Sequence, residues 1–207
     1  MKSLELRFRA HPWHGVPLGP EAPRVVTAYI EIIQTDTVKY EVDKDTGLLR
    51  LDRPQQYSNV CPSPYGFLPQ TLCAERVAEF CAQRTGRQGI VGDGDPMDVC
   101  VLTEKEISHS DLLLTAIPIG GLRMIDGEEA DDKILAVLKD DAVYGRLHDV
   151  SQMPDALVDR LRHYFLTYKQ APDRAARVVE ITHVYGRDEA REVIQRSAED
   201  YQRHFGG

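Results

Sequence analysis

Apolar and polar positions alternate in short runs over most of the chain and settle into helical periods near its end. Arg24 to Ile33, RVVTAYIEII, is β-branched and aromatic and predicts a strand after the Pro- and Gly-rich GVPLGPEAP. In TVKYEV, Thr37 to Val42, the apolar Val38, Tyr40 and Val42 alternate with Lys39 and Glu41, so those two charges share a face. The turn DKDTG and Leu48 to Leu51 complete a hairpin. Pro54 to Gly66 lacks periodicity and predicts an irregular loop, and Leu72 to Gln83 predicts a short helix. Val99 to Thr103, Leu112 to Ile119, Leu122 to Ile125 and Lys133 to Val137 are further strand candidates. Helical spacing is strongest through Leu157, Val158, Leu161, Tyr164, Phe165 and Tyr168 in Ala156 to Lys169, and again from Asp188 to Phe205.

Many short strands separated by turns predict a barrel or sandwich, and helices at the end of such a chain predict an α+β fold. With 207 residues and no linker or repeat, a single domain over residues 1–207 is expected. The 28% charged and 42% apolar residues are those of a folded chain. The net charge of −8, without a basic run, disfavours nucleic acid and anionic membranes as partners. No apolar stretch reaches the roughly 18 residues that span a bilayer, and MKSLELRFRAHPWHG has no signal-peptide core, so a cytoplasmic location is expected. Cys61, Cys73, Cys81 and Cys100 lack metal-finger spacing and read as reduced thiols.

The charge is distributed unevenly. GDGDPMDV, Gly92 to Val99, places Asp93, Asp95 and Asp98 directly before an apolar run. Crowded carboxylates raise one another's pKa and destabilise the fold unless a metal cation or a basic side chain sits among them. An extended backbone would point Asp98 away from Asp93 and Asp95, but Gly94 and Pro96 favour a turn that turns all three toward one point. Converging hard oxygens suit Mg²⁺, Mn²⁺ or Ca²⁺. A calcium loop fails here, because Met97 replaces a ligand, Asp98 replaces the required glycine, and VCVLT predicts a strand where that motif has a helix. The blander alternative is a solvated acidic turn.

A second acidic turn, Asp126 to Asp132, runs into Lys133. Together with Lys39 and Glu41 on one strand face, Arg53 and Tyr168-Lys169, it makes a set in which carboxylates bind metal and Lys, Arg and Tyr bind phosphate oxygens.

The order of these pieces resembles the soluble family I inorganic pyrophosphatases. The resemblance rests on Glu31, Lys39-Tyr40-Glu41, Asp43-Lys44, Gly47, Asp52-Arg53, Pro62, Tyr65-Gly66, DGDPMDV, MIDGEEADDK and HYFLTYK, and spans roughly Glu31 to Lys169. It implies a small closed OB-like β-barrel with two or more helices outside, and Mg²⁺-dependent hydrolysis of pyrophosphate to two phosphates by a metal-bound water or hydroxide, with Mn²⁺ as a possible substitute. By position, the metal ligands implied are Asp93, Asp98, Asp126 and Asp131, with Glu31 and Glu41 on outer waters or a further ion. Asp95 is the implied general base, and Lys39, Arg53, Tyr65, Lys133, Tyr168 and Lys169 the implied substrate ligands. A homo-oligomer, hexamer or dimer, is also implied.

Departures from the family pattern are Cys61 before Pro62, where many bacterial members have tyrosine, and an insertion at approximately 69–91, which is a surface element, a lid or an oligomer contact. QAPDRAARVVEITHVYGRDEA, downstream of Lys169, does not closely reproduce the family's basic segment; Arg174 and Arg177 are candidates to substitute for it and are left out of the site. Trp13 is expected to pack an N-terminal segment on the barrel. Two rival readings are a non-catalytic divalent-cation module and an OB-like nucleic-acid binder, the latter disfavoured by the charge.

Overall fold

The computed structural model describes residues 9–169 and 178–206. Among them are ten strands and three α-helices in an α+β arrangement: β1 Val26–Ile32, β2 Val38–Val42, β3 Leu49–Pro54, β4 Tyr65–Phe67, α1 Glu75–Thr85, β5 Val91–Gly92, β6 Asp98–Leu102, β7 Leu112–Asp126, β8 Glu129–Ala130, β9 Lys133–Leu138, α2 Asp155–Thr167, β10 Val179–Gly186 and α3 Arg187–Phe205. Arg174 and Arg177 lie outside the described residues.

Eight strands form one mixed sheet in which β1, β4, β6, β9 and β7 pair in succession and β7 pairs again with β1. The pairs β6–β9 and β5–β8 are parallel and the others antiparallel. The hairpin β2–β3 stands apart as a two-stranded sheet, with Lys39 opposite Arg53. β6 and β9 are buried along nearly their whole length, as parallel strands covered on both faces must be.

Two expectations are corrected here. The separate strands read in Leu112 to Ile125 are one long β7, whose register shifts between Pro118 and Gly120, so an interrupted pattern belongs to a bulged strand rather than to a turn. The end of the Pro54 to Gly66 loop is the short strand β4; a Cβ at Gly66 would lie 1.9 Å from the Tyr29 carbonyl oxygen, so only glycine lets β4 pair with β1 there.

Two of the helices, α3 and α1, are held by identifiable devices. α3 starts with Asp188 and Glu189 and ends with Arg203 and His204, matching its dipole, and Asp149 Oδ2 accepts the Arg187 N–H at 2.8 Å. Its Val193 and Ile194 are buried against the sheet, each contributing about 1.5–3 kcal/mol. α1, which occupies the insertion, lacks a cap of its own. Asp200 of α3 supplies one, accepting from the Ala74, Arg76 and Val77 amides at 3.1–3.2 Å while fully buried. The start of α1 is thereby tied to α3. Trp13 is buried as expected, its indole N–H donating to the Thr71 carbonyl at 2.7 Å. All four cysteines are free and buried, and burial pushes the Cys61 thiol up to about 12. Among the described residues no helix is long and apolar enough to cross a membrane.

Candidate active site

A cavity of about 510 Å³ opens where β1, the β2–β3 hairpin, the Asp93–Asp98 loop, the β7–β8 turn and the end of α2 meet. Every site residue expected from the sequence lines it: Glu31, Lys39, Glu41, Arg53, Tyr65, Asp93, Asp95, Asp98, Asp126, Asp131, Lys133, Tyr168 and Lys169.

Local structure explains the convergence. Gly94 has φ +73°, a left-handed conformation that turns the loop back on itself, and the Asp95 N–H donates to Asp93 Oδ1 at 2.9 Å. The backbone of Cys73 anchors the same loop, its N–H donating to the Asp95 carbonyl at 2.8 Å and its carbonyl accepting from the Gly94 N–H at 3.0 Å. Asp98 and Lys133 start the parallel strands β6 and β9 in direct register, so their side chains meet. Asp126 ends β7, and Asp131 follows the turn back from it. Lys39 and Glu41, on one face of β2 as the alternation predicts, are joined by a 3.0 Å ion pair.

Electrostatically the cleft is a lattice of alternating charge. Lys133, almost wholly buried, donates to both Asp98 and Asp131. Burial opposes its charge, but those two carboxylates outweigh burial and hold its pKa well above the ordinary value. Lys169 donates to Asp126 Oδ2 at 2.7 Å, and Lys39 reaches Asp52 at 3.2 Å as well as Glu41. The acids feel the converse. Burial pushes Glu31 up to about 8, against the 2.7 Å hydrogen bond it accepts from the Val42 N–H. Asp93 is raised by burial and then by the charge of Asp131, and Asp98 by burial against the opposing charge of Lys133.

The buried, mutually repelling acids are chemically suited to a cation. A donor set made of carboxylate oxygens whose ionised forms are disfavoured by burial and mutual repulsion fits a hard divalent ion. In the side-chain positions described, the lysines bridge the acids, and among the described residues no three acidic, His or Cys groups already stand in ligand geometry. A bound ion would take over charge that Lys133 and Lys169 now balance.

Sequence reasoning left Lys44, Trp13 and Glu129 out of the site, yet all three line the cleft. Lys44 pairs with Asp95, and its Nζ lies 6.0 Å from the centre of the Trp13 ring. Its signal was the Asp43-Lys44 pair, which counts toward the family resemblance and lies in a turn but has no assigned role in the site.

The profile of the family described as Inorganic pyrophosphatase matches residues 28–202. The inorganic pyrophosphatase of Chlamydia trachomatis is 50% identical over 196 residues, covering 93% of this chain and 94% of its own. Soluble inorganic pyrophosphatase 2 of Chlamydomonas reinhardtii is 37% identical, covering 95% and 91%. The crystal structure of inorganic pyrophosphatase from Thermus thermophilus superposes with a TM-score of 0.78 at 28% identity, covering 94% of this chain and 99% of that one. The match runs from β1 to the last turns of α3 and takes in every strand that builds the cleft, so the chain belongs to the soluble family I inorganic pyrophosphatases.

Proposed function

We propose that the chain hydrolyses inorganic pyrophosphate to two phosphates in this cleft, with Mg²⁺ as cofactor and Mn²⁺ as a possible substitute. The observation that carries the reading is the convergence of two acidic turns and a set of Lys, Arg and Tyr side chains on one cavity in a chain of this family. Asp93, Asp98, Asp126 and Asp131 are assigned to the cations, and Glu31 and Glu41 to their outer waters or a further ion. When bound, divalent ions cancel substrate charge and make water a stronger acid.

The chain's own groups do the rest. Lys39, Arg53, Tyr65, Lys133, Tyr168 and Lys169 bind and orient the phosphoryl groups. Water attacks one phosphorus, its proton passes to Asp95, and the bond from that phosphorus to the bridging oxygen breaks, its electrons leaving with the second phosphate. The cationic side chains stabilise the charge that develops there. The finer architecture belongs to the same proposal: a single domain over residues 1–207, centred on a small closed OB-like barrel, in a cytoplasmic homo-oligomer, hexamer or dimer. The succession of pairings from β1 round to β7 and back supports the barrel.

Phosphate release from pyrophosphate, measured with Mg²⁺ and with EDTA, tests the activity. Release is expected only with the metal. None with either Mg²⁺ or Mn²⁺ would leave a cation-binding module in place of an enzyme.

A further inference from the structure

Behind the cleft lies an ion network that the proposed reaction does not use. Arg123 of β7 and Asp132, just before β9, are completely buried and pair at 2.8 Å. The Tyr185 hydroxyl donates to Asp132 Oδ2 at 3.0 Å. The second guanidinium nitrogen of Arg123 donates to Glu189 Oε1 of α3 at 2.8 Å, and Glu189 also accepts from Arg84 of α1 and faces His183 Nε2 at 3.5 Å. Two rings flank the guanidinium, Phe80 of α1 at 5.2 Å and Tyr185 of β10 at 5.0 Å from their centres.

Position gives this network its meaning. Asp132 sits between Asp131 and Lys133 in the short link between β8 and β9; those two line the cleft while Asp132 is buried away from it. Arg123 sits three residues before Asp126 on the strand that enters the β7–β8 turn, and the Asp131 N–H donates to the carbonyl of its neighbour Met124 at 3.0 Å. The Arg123–Asp132 pair therefore closes the base of the turn that carries Asp126 and Asp131. A buried ion pair contributes little net stability, because desolvating both partners offsets their attraction, and apolar residues of like volume serve as well or better. What an apolar pair lacks is charge and the directed hydrogen bonds that flank this pair, from the Tyr185 hydroxyl to Asp132 and from Arg123 to Glu189, and without them it cannot fix the angle of the chain at residue 132.

We propose that Arg123 is a positioning residue for the cation site: held between Phe80 and Tyr185 and anchored by Glu189, it fixes Asp132 and through it the aim of Asp131 and Lys133. This rests on the cleft being the cation site of the proposed function. It also gives the insertion a task, since α1 supplies Phe80 and Arg84 to the network.

The test compares wild type with Arg123→Met/Asp132→Leu, with Arg123→Lys and with Asp132→Asn. Mn²⁺ binding is measured by titration calorimetry without substrate, thermal melting reports the fold, and steady-state turnover is measured against Mg²⁺. The apolar double variant is expected to melt within a few degrees of wild type yet bind Mn²⁺ about tenfold more weakly, with a matching rise in the Mg²⁺ needed for half-maximal turnover and a smaller fall in turnover at saturation. Arg123→Lys is expected to recover part of the affinity. A folded double variant with wild-type Mn²⁺ affinity would overturn the proposal. If the double variant fails to fold, isosteric Asp132→Asn decides by the same affinity criterion. Wild type that binds Mn²⁺ but releases no phosphate would contradict the proposed reaction and leave the positioning claim to the binding data.

Discussion

Lys44 donates a hydrogen bond to Asp95 Oδ1 across 51 residues of sequence. The turn that carries Lys44 is fixed from several sides. Asp43 Oδ1 accepts from the Thr46 N–H at 2.9 Å and from its hydroxyl at 2.8 Å, and His11 Nε2 lies 3.1 Å from the Lys44 carbonyl oxygen. A lysine so placed holds one oxygen of the Asp95 carboxylate, which lines the cleft. Removing it with Lys44→Ala is expected to lower turnover about tenfold while KM changes less than about twofold, with partial recovery in Lys44→Arg. Steady-state phosphate release checks this, and unchanged turnover would reduce the pair to an ordinary exposed ion pair.

The raised acids make stability depend on pH in a definite direction. Glu31 titrates near 8 in the fold and near 4.5 in the unfolded chain. Below about 4.5 both states hold the proton and the contribution to stability is whole; between 4.5 and 8 only the folded state holds it, so stability falls as pH rises through that window. Asp132, pushed up to about 6 by burial against the charge of Arg123, acts in the same sense over a narrower range. Without metal, the melting temperature is expected to be about 5 °C lower at pH 8 than at pH 5.5. Mg²⁺ should raise it more at pH 8 than at pH 5.5, with protons released on binding. Glu31→Gln should flatten the metal-free slope, and melting curves that rise between these pH values would contradict the assignment.

Asp200 offers a test of what the insertion is. Replacing it with alanine strips the amides of Ala74, Arg76 and Val77 of their acceptor, at a cost of about 1–2 kcal/mol. A melting temperature lower by about 2–8 °C with turnover within about twofold of wild type is expected. A rise in KM without loss of stability would instead make α1 a moving lid.

The site was more legible than the fold that carries it. Its residues sit in charged turns and at strand starts, such as Asp93 to Asp98 and Asp131 to Lys133, where short-range composition is informative. Strands of two or three residues, β4, β5 and β8, are too short for any period to register, and their pairing is fixed by distant partners. β10 has apolar residues at Val179, Ile181, Val184 and Tyr185, but a register shift between Ile181 and His183 breaks its alternation, and it opens directly into α3 without a breaking turn. The Arg123–Asp132 pair left no local trace, because Asp132 reads as one more acid in a solvated run until β7 and β10 close over it.

The division of labour within Asp93, Asp95 and Asp98 is the centre of the account, and one comparison tests it: turnover of pyrophosphate at saturating Mg²⁺ by wild type and by Asp95→Asn. An amide keeps the shape of the side chain but cannot take the proton from water, so the variant is expected to lose about 10²–10⁴-fold in turnover while Mn²⁺ still binds at the neighbouring acids. Wild-type turnover in Asp95→Asn would remove Asp95 as the base.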